Sequence, residues 1–209
     1  MSSRIQEKYN APANGIDAPW TPLVKKAKTG SRSAFTELVD LFQDDIFKMV
    51  FYRTRTQMDA EDITQEVFMQ AYKNLSGLKK VDRFKSWLFS IAVNRVRDFK
   101  RKKRFRALFK MSDVNDELKT AEPQINDNPV PINELMRQDF WKQIGLIIDK
   151  LSRMEREVFL LRFLDLLSIR EISSVLKKSE STVKTHLYSA LVKFRKSSST
   201  LQLLKEEMP

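Results

Sequence analysis

The chain has 209 residues, a formal net charge of +11 and a pI near 9.8. It carries no cysteine and one histidine, His186. That excludes disulfides and Cys/His zinc sites and fits a reducing cytoplasm, while the positive balance favours a polyanionic partner, either nucleic acid or an anionic membrane surface.

No apolar run approaches a membrane span, and the N-terminus lacks the apolar stretch of a signal peptide. No membrane insertion is expected. Glycine is scarce, apolar runs do not alternate, and proline is absent from 23–122 and 132–208. This pattern predicts an all-α protein. Pro123, Pro129 and Pro131 mark a boundary between two small helical domains.

Residues 1–20 are polar and aperiodic and predict a flexible arm. Thr21 as N-cap, with Pro22 at the first helical position, predicts a helix that stops at Gly30. A second helix is expected from about Ser33 to Arg53. Phe35, Leu38, Val39, Phe42, Ile46, Met49 and Val50 recur on it at helical spacing, as a core helix requires.

A third helix is expected to begin near Asp59. Asp59, Glu61 and Asp62 favour the positive end of its dipole. Ile63, Val67, Phe68, Ala71 and Leu75 form its buried stripe, and it stops near Gly77. Asp62, Gln65, Glu66 and Gln70 are left outside. This acidic face reads as a solvated surface or as a docking site for a basic protein; the residues alone favour the former.

The fourth helix runs from Asp82 or Arg83 to beyond Lys103. Phe84, Trp87, Leu88, Ile91, Ala92, Val96 and Phe99 form its stripe. Lys100, Arg101, Lys102, Lys103, Arg104 and Arg106 crowd its end. That density exceeds what a helix dipole needs and suits phosphate neutralisation.

Residues 111–131 turn acidic, with Asp113, Asp116, Glu117, Glu122 and Asp127 against Lys119 alone. They predict a flexible linker. The second domain, 132–198, opens with a helix over about 134–149 bearing Leu135, Phe140, Trp141, Ile144, Ile147 and Ile148. Ser152 with Glu155, and Ser168 with Glu171, are capping-box pairs. Each opens a helix, the first with Val158, Phe159 and Leu161 inward, the second with Ile172, Val175 and Leu176. Residues 177–180 make a turn, and Ser179 or Ser181 caps a last helix. That helix buries Val183, Leu187, Ala190, Leu191 and Phe194 and turns small polar residues outward. The pair is a helix-turn-helix, whose second helix enters a DNA major groove. A tail, 199–209, follows, with fraying expected from Ser197 to Pro209.

Several stretches carry a family resemblance. They are AFTELVDLFQDDIF (34–47), DAEDITQEVFMQAYKNL (59–75), FKSWLFSIAVNRVRDFKRKKR (84–104) and the capped helices of 151–196. In this order they resemble the extracytoplasmic function (ECF, group IV) sigma factors of bacterial RNA polymerase, in the sigma-70 family, over about 21–198. The resemblance implies a cytoplasmic, non-catalytic subunit without cofactor. Residues 21–110 form the domain that binds core polymerase and the −10 element, and 132–198 the domain that reads the −35 element.

On matching positions, the resemblance places Asp59, Glu61, Asp62, Gln65 and Glu66 against a basic coiled coil of the largest polymerase subunit. It places Asn94 beside a flipped −10 base, with Arg95, Arg97, Lys100 and Arg101 on phosphates. In the last helix it places Ser181, Thr182, Lys184, Thr185, His186, Tyr188 and Ser189 at the −35 groove, although the family usually has Arg at the position of His186. Trp87 is open to two readings, base stacking or core packing. An anti-sigma factor is an expected partner. The rival reading is a free-standing helix-turn-helix regulator of duplex operators. A nuclease built on Asp59, Glu61 and Asp62 lacks a neighbouring His or Lys to complete its site.

Overall fold

The structure is a computed structural model that describes residues 18–110 and 147–206, with side chains described for 18–107 and 147–196. The expected arm up to residue 17, the linker 111–131, the second domain's first helix up to residue 146 and the last three residues lie outside the described residues. All regular structure among the described residues is helical. The chain divides into two compact units between Leu118 and Lys119.

The first unit contains α1 (Thr21–Lys28), α2 (Arg32–Thr54), α3 (Gln57–Asn74) and α4 (Phe84–Lys110). Two 3-10 turns, Leu75–Gly77 and Val81–Arg83, lead from α3 into α4. Leu38, Phe42, Ile46 and Met49 of α2 are fully buried, as are Val67 and Ala71 of α3 and Phe84 and Leu88 of α4. Phe42 sits among them and meets Trp20 edge-on at 5.3 Å and Phe84 at 5.5 Å. Burying one such ring contributes about 1.5–3 kcal/mol, so α2 is the element on which the other helices pack.

The start of α1 departs from expectation. Trp20, not Thr21, is the N-cap; its carbonyl accepts the Val24 N–H at 3.0 Å, and no side chain caps the helix. Packing of the Trp20 ring on Phe42 sets where the chain enters the helix, and Thr21 is buried within the first turn. Pro22 is therefore the second helical residue. The next helix is capped as the chemistry prefers, the Ser31 hydroxyl accepting the Ala34 N–H at 3.3 Å. The third begins two residues before Asp59, because Thr56 is its N-cap and its hydroxyl donates to the Asp59 carboxylate.

Burial on α4 is broader than a single stripe. Phe89 and Val93 are each 1 % exposed alongside the expected Phe84, Leu88, Ile91, Ala92 and Val96. The helix packs against both α2 and α3, so two of its faces are covered.

The second unit contains α5 (Arg153–Phe163), α6 (Ile169–Leu176) and α7 (Glu180–Glu206). Both capping boxes are formed, Ser152 with Glu155 and Ser168 with Glu171. Between α6 and α7, Lys177 takes a left-handed φ of 52°, and the Ser173 hydroxyl donates to the Lys178 carbonyl at 2.6 Å. Ser179 caps α7, its hydroxyl oxygen accepting the Thr182 N–H at 3.1 Å. Ile148, Leu151, Phe159, Leu160 and Ala190 pack together, with Phe194 stacked on Phe159 at 5.3 Å. Leu191, expected inside, is 41 % exposed. The seam of α7 is narrow and centred on Val183 and Ala190, and one step around the helix already leaves it.

Candidate nucleic-acid interface

The outward face of α4 is drawn by spacing. Trp87, Ser90, Asn94, Arg97 and Arg101 follow one another at three and four residues, so they share one side of the helix. Asn94 and Arg101 are exposed, and Trp87, Ser90 and Arg97 half-buried. The Trp87 ring packs on Phe84 with centroids 5.9 Å apart and is half-buried, so it both packs and borders the open face. The Arg101 guanidinium pairs with Asp98 at 3.2 Å. Beyond it Lys102, Lys103, Arg104 and Arg106 are all exposed, with Lys103 5.8 Å from the Phe99 ring centroid.

Arg95 is directed elsewhere. Its Nε donates to Gln70 Oε1 of α3 at 2.7 Å, and its Nη1 lies 3.4 Å from the Glu66 carboxylate. Lys100, six residues on from Asn94, lies about 120° around the helix from it. Of the −10 set, the fold therefore brings Asn94, Arg97 and Arg101 onto one face.

The acidic set on α3 divides similarly. Asp59 accepts from Thr56 at the helix start, and Glu61 accepts from Gln57 Nε2 at 2.8 Å. Asp62 and Gln65 are exposed on one face, in line with Met58 and Met69, which are also exposed. Glu66 turns toward Arg95. Beside this face a groove between α2 and α3 is lined by Phe35, Val39, Phe47, Phe68, Met69 and Tyr72, with Asp44 and Glu61 also contributing. Sequence reasoning missed it. The available signal was Val39 and Phe47, apolar positions at the margin of the α2 core stripe.

On α7, Ser181, Lys184, Thr185 and Tyr188 are exposed and share one face; Tyr188 is 72 % exposed. Thr182, His186 and Ser189 lie half-buried on the adjoining flank. Leu191, Val192 and Arg195 extend the open face. A projecting helix with small polar side chains, one lysine and one tyrosine suits a major groove, where short side chains let the backbone approach the base edges.

One titratable group stands out. Glu155 is buried, and Lys193 of α7 donates to both of its oxygens, at 2.9 and 2.7 Å. That partner, with the Ser152 backbone N–H, holds the carboxyl below its usual range against the opposing effect of burial. Among the described residues no group of three or more His, Asp or Glu side chains is arranged to hold a metal, and no helix is long and apolar enough to cross a membrane.

Residues 38–106 match the family model for Sigma-70 region 2, and residues 141–194 the model for Sigma-70 region 4. The chain is 31% identical over 174 residues to the ECF RNA polymerase sigma factor SigW of Bacillus subtilis (strain 168), covering 83% of this chain and 93% of that relative. It is 29% identical over 179 residues to SigX of the same organism, covering 83% and 87%. The fold resembles that of CnrH, solved in complex with the cytosolic domain of CnrY, with a TM-score of 0.63 and 22% identity over 88% of this chain and 97% of that one. It also resembles RpoE in complex with the anti-sigma factor NepR from Bartonella quintana, with a TM-score of 0.57 and 20% identity over 79% and 96%. Two sigma-70 regions in the expected order, and a relative of this coverage, place the chain in the ECF sigma factors of the sigma-70 family, the RNA polymerase subunits that direct promoter-specific initiation.

Proposed function

We propose that this sigma factor engages core polymerase through the outward face of α3 and promoter DNA through α4 and α7. Asp62 and Gln65, with Met58 and Met69 beside them, form the docking surface for a basic coiled coil of the largest polymerase subunit. Glu61 and Glu66 flank it, and Asp59 supports it from the first turn of α3, where its carboxylate accepts from the Thr56 hydroxyl. On α4, Asn94 meets an extruded base of the −10 strand, because an amide both donates to and accepts from a Watson–Crick edge. Arg97 and Arg101 hold its phosphates, while Arg95 and Lys100 act from other sides of the helix. On α7, Ser181, Lys184, Thr185 and Tyr188 meet −35 base edges, with Thr182, His186 and Ser189 on the flank toward the backbone.

Domains 21–110 and 132–198 are tethered by 111–131, which keeps the second grip at high effective concentration once the first is made. The protein contributes recognition and strand capture in the cytoplasm and performs no covalent chemistry itself. An anti-sigma factor covering these surfaces is the expected regulator.

The observation that carries this reading is the alignment of Asn94, Arg97 and Arg101 on one open face of α4 that runs into the basic stretch to Arg106. A run-off transcription assay with purified core polymerase tests it. Promoter-dependent transcripts are expected only with both proteins present. A protein that never supports initiation, yet alone binds duplex operators with high specificity, is a free-standing regulator instead.

A further inference from the structure

Lys193 lies beyond the part of α7 assigned to the groove. Its Nζ contacts both oxygens of Glu155, which is 7 % exposed, while the lysine side chain keeps 47 % of its surface open. The same carboxylate accepts the Ser152 backbone N–H at 2.8 Å and so completes the capping box of α5. One buried side chain thus fastens the start of α5 and the middle of α7 together.

Apolar side chains also join these helices. Phe194 stacks on Phe159, and Ala190 is closed against Ile148, Leu151 and Leu160. Apolar burial is non-directional, and a seam centred on an alanine methyl resists rotation of the helix about its own axis only weakly. A charge-assisted hydrogen bond to a buried carboxylate is both stronger and directional. Lys193 follows Thr182, His186 and Ser189 at helical spacing. The tie therefore draws that flank inward, and Ser181, Lys184, Thr185 and Tyr188 face outward.

We infer that Glu155 and Lys193 are positioning residues for −35 recognition: their ion pair fixes the rotation of α7 and so selects the side chains that meet the bases. The inference rests on the reading of α7 as the −35 helix. Base readout needs its side chains held to within about 10–20°, a tolerance that a directional contact to a buried carboxylate helps to supply.

The test uses the full chain assembled with core polymerase. Affinity is measured for a promoter duplex and for the same duplex with substituted −35 bases, and the ratio is the readout. Lys193→Met keeps the aliphatic stem and drops the charge; Glu155→Gln keeps an acceptor for the Ser152 N–H. Each is expected to lower the ratio about tenfold, whereas Lys193→Arg retains it. The double variant joins two neutral groups and removes the penalty of an unpaired buried charge. It is expected to recover the thermal stability that Lys193→Met loses, but not the ratio. Salt dependence stays as in the unaltered protein, because the pair touches no phosphate. An unchanged ratio in folded single variants, or a ratio restored together with stability in the double variant, overturns the inference. An unaltered protein indifferent to the −35 substitution overturns the assignment of α7 itself.

Discussion

Asp59 and Asp62 lie three residues apart on α3 and do different things. Asp59 accepts from the Thr56 hydroxyl where the helix begins, while Asp62 faces solvent beside Gln65. Replacing Asp59 with Ala is expected to destabilise the first unit by about 0.3–1 kcal/mol, read as a lower thermal midpoint, with core-polymerase affinity otherwise retained. Replacing Asp62 and Gln65 together with Arg is expected to leave the circular dichroism melt unchanged and to lower that affinity at least about tenfold. Unaltered affinity removes the α3 face from the docking surface. Glu66 is a poorer probe, because its removal also releases Arg95. Asn94 is exposed, so Asn94→Ala carries no packing penalty. It is expected to weaken −10 strand capture by about 1–3 kcal/mol while core-polymerase binding holds. An unchanged preference at every −10 position argues against base reading by that amide.

At the scale of elements, what could be read in advance followed from local chemistry. The capping boxes at Ser152 and Ser168 are complete within four residues of sequence, and both formed. On α2 the periodicity predicts Leu38, Phe42, Ile46, Met49 and Val50, which are buried, whereas Phe35 and Val39 of the same stripe are half-buried and line the groove beside α3. Leu191 departs from expectation because the seam of α7 is narrow, but three other departures share one cause, which is that a neighbour decided the outcome. Trp20 found Phe42 and moved the start of α1. A second helix covered Phe89 and Val93. Arg95 found Gln70 and Glu66 twenty-five or more residues away, so it left the face of Asn94.

The Glu155–Lys193 tie is of the same long-range kind and gives a pH prediction for the second unit. Lys193, with the Ser152 N–H, depresses the folded-state pKa of Glu155 below its unfolded value. Its stabilising contribution is therefore present above the ordinary carboxylate range and is lost as pH falls through the depressed value. Glu155→Gln is expected to flatten the acid limb of the melting curve for this unit and to leave the neutral-to-basic limb parallel to the original. An acid limb as steep as before means that other carboxylates govern it.

Across the whole molecule the charge of +11 is unevenly placed, since the end of α4 carries Arg101, Lys102, Lys103, Arg104 and Arg106 in the open. Phosphate contacts release condensed counterions. Each lowers the logarithmic slope of affinity against salt by about 0.9 on duplex DNA and about 0.7 on single strands. Base contacts carry no such term. The two kinds of grip are therefore separable in one titration of the complete chain with core polymerase on promoter DNA. Lys102→Gln with Arg104→Gln is expected to reduce the slope by about 1.4–1.8, equally on strong and weak promoters. Asn94→Ala is expected to keep the slope and change the promoter ranking. If the charge variants keep the slope, the basic end of α4 lies off the DNA path, and its charges serve solubility or another acidic partner. If they change the ranking instead, the α4 terminus reads sequence, and the division between a phosphate-holding end and a base-reading middle fails.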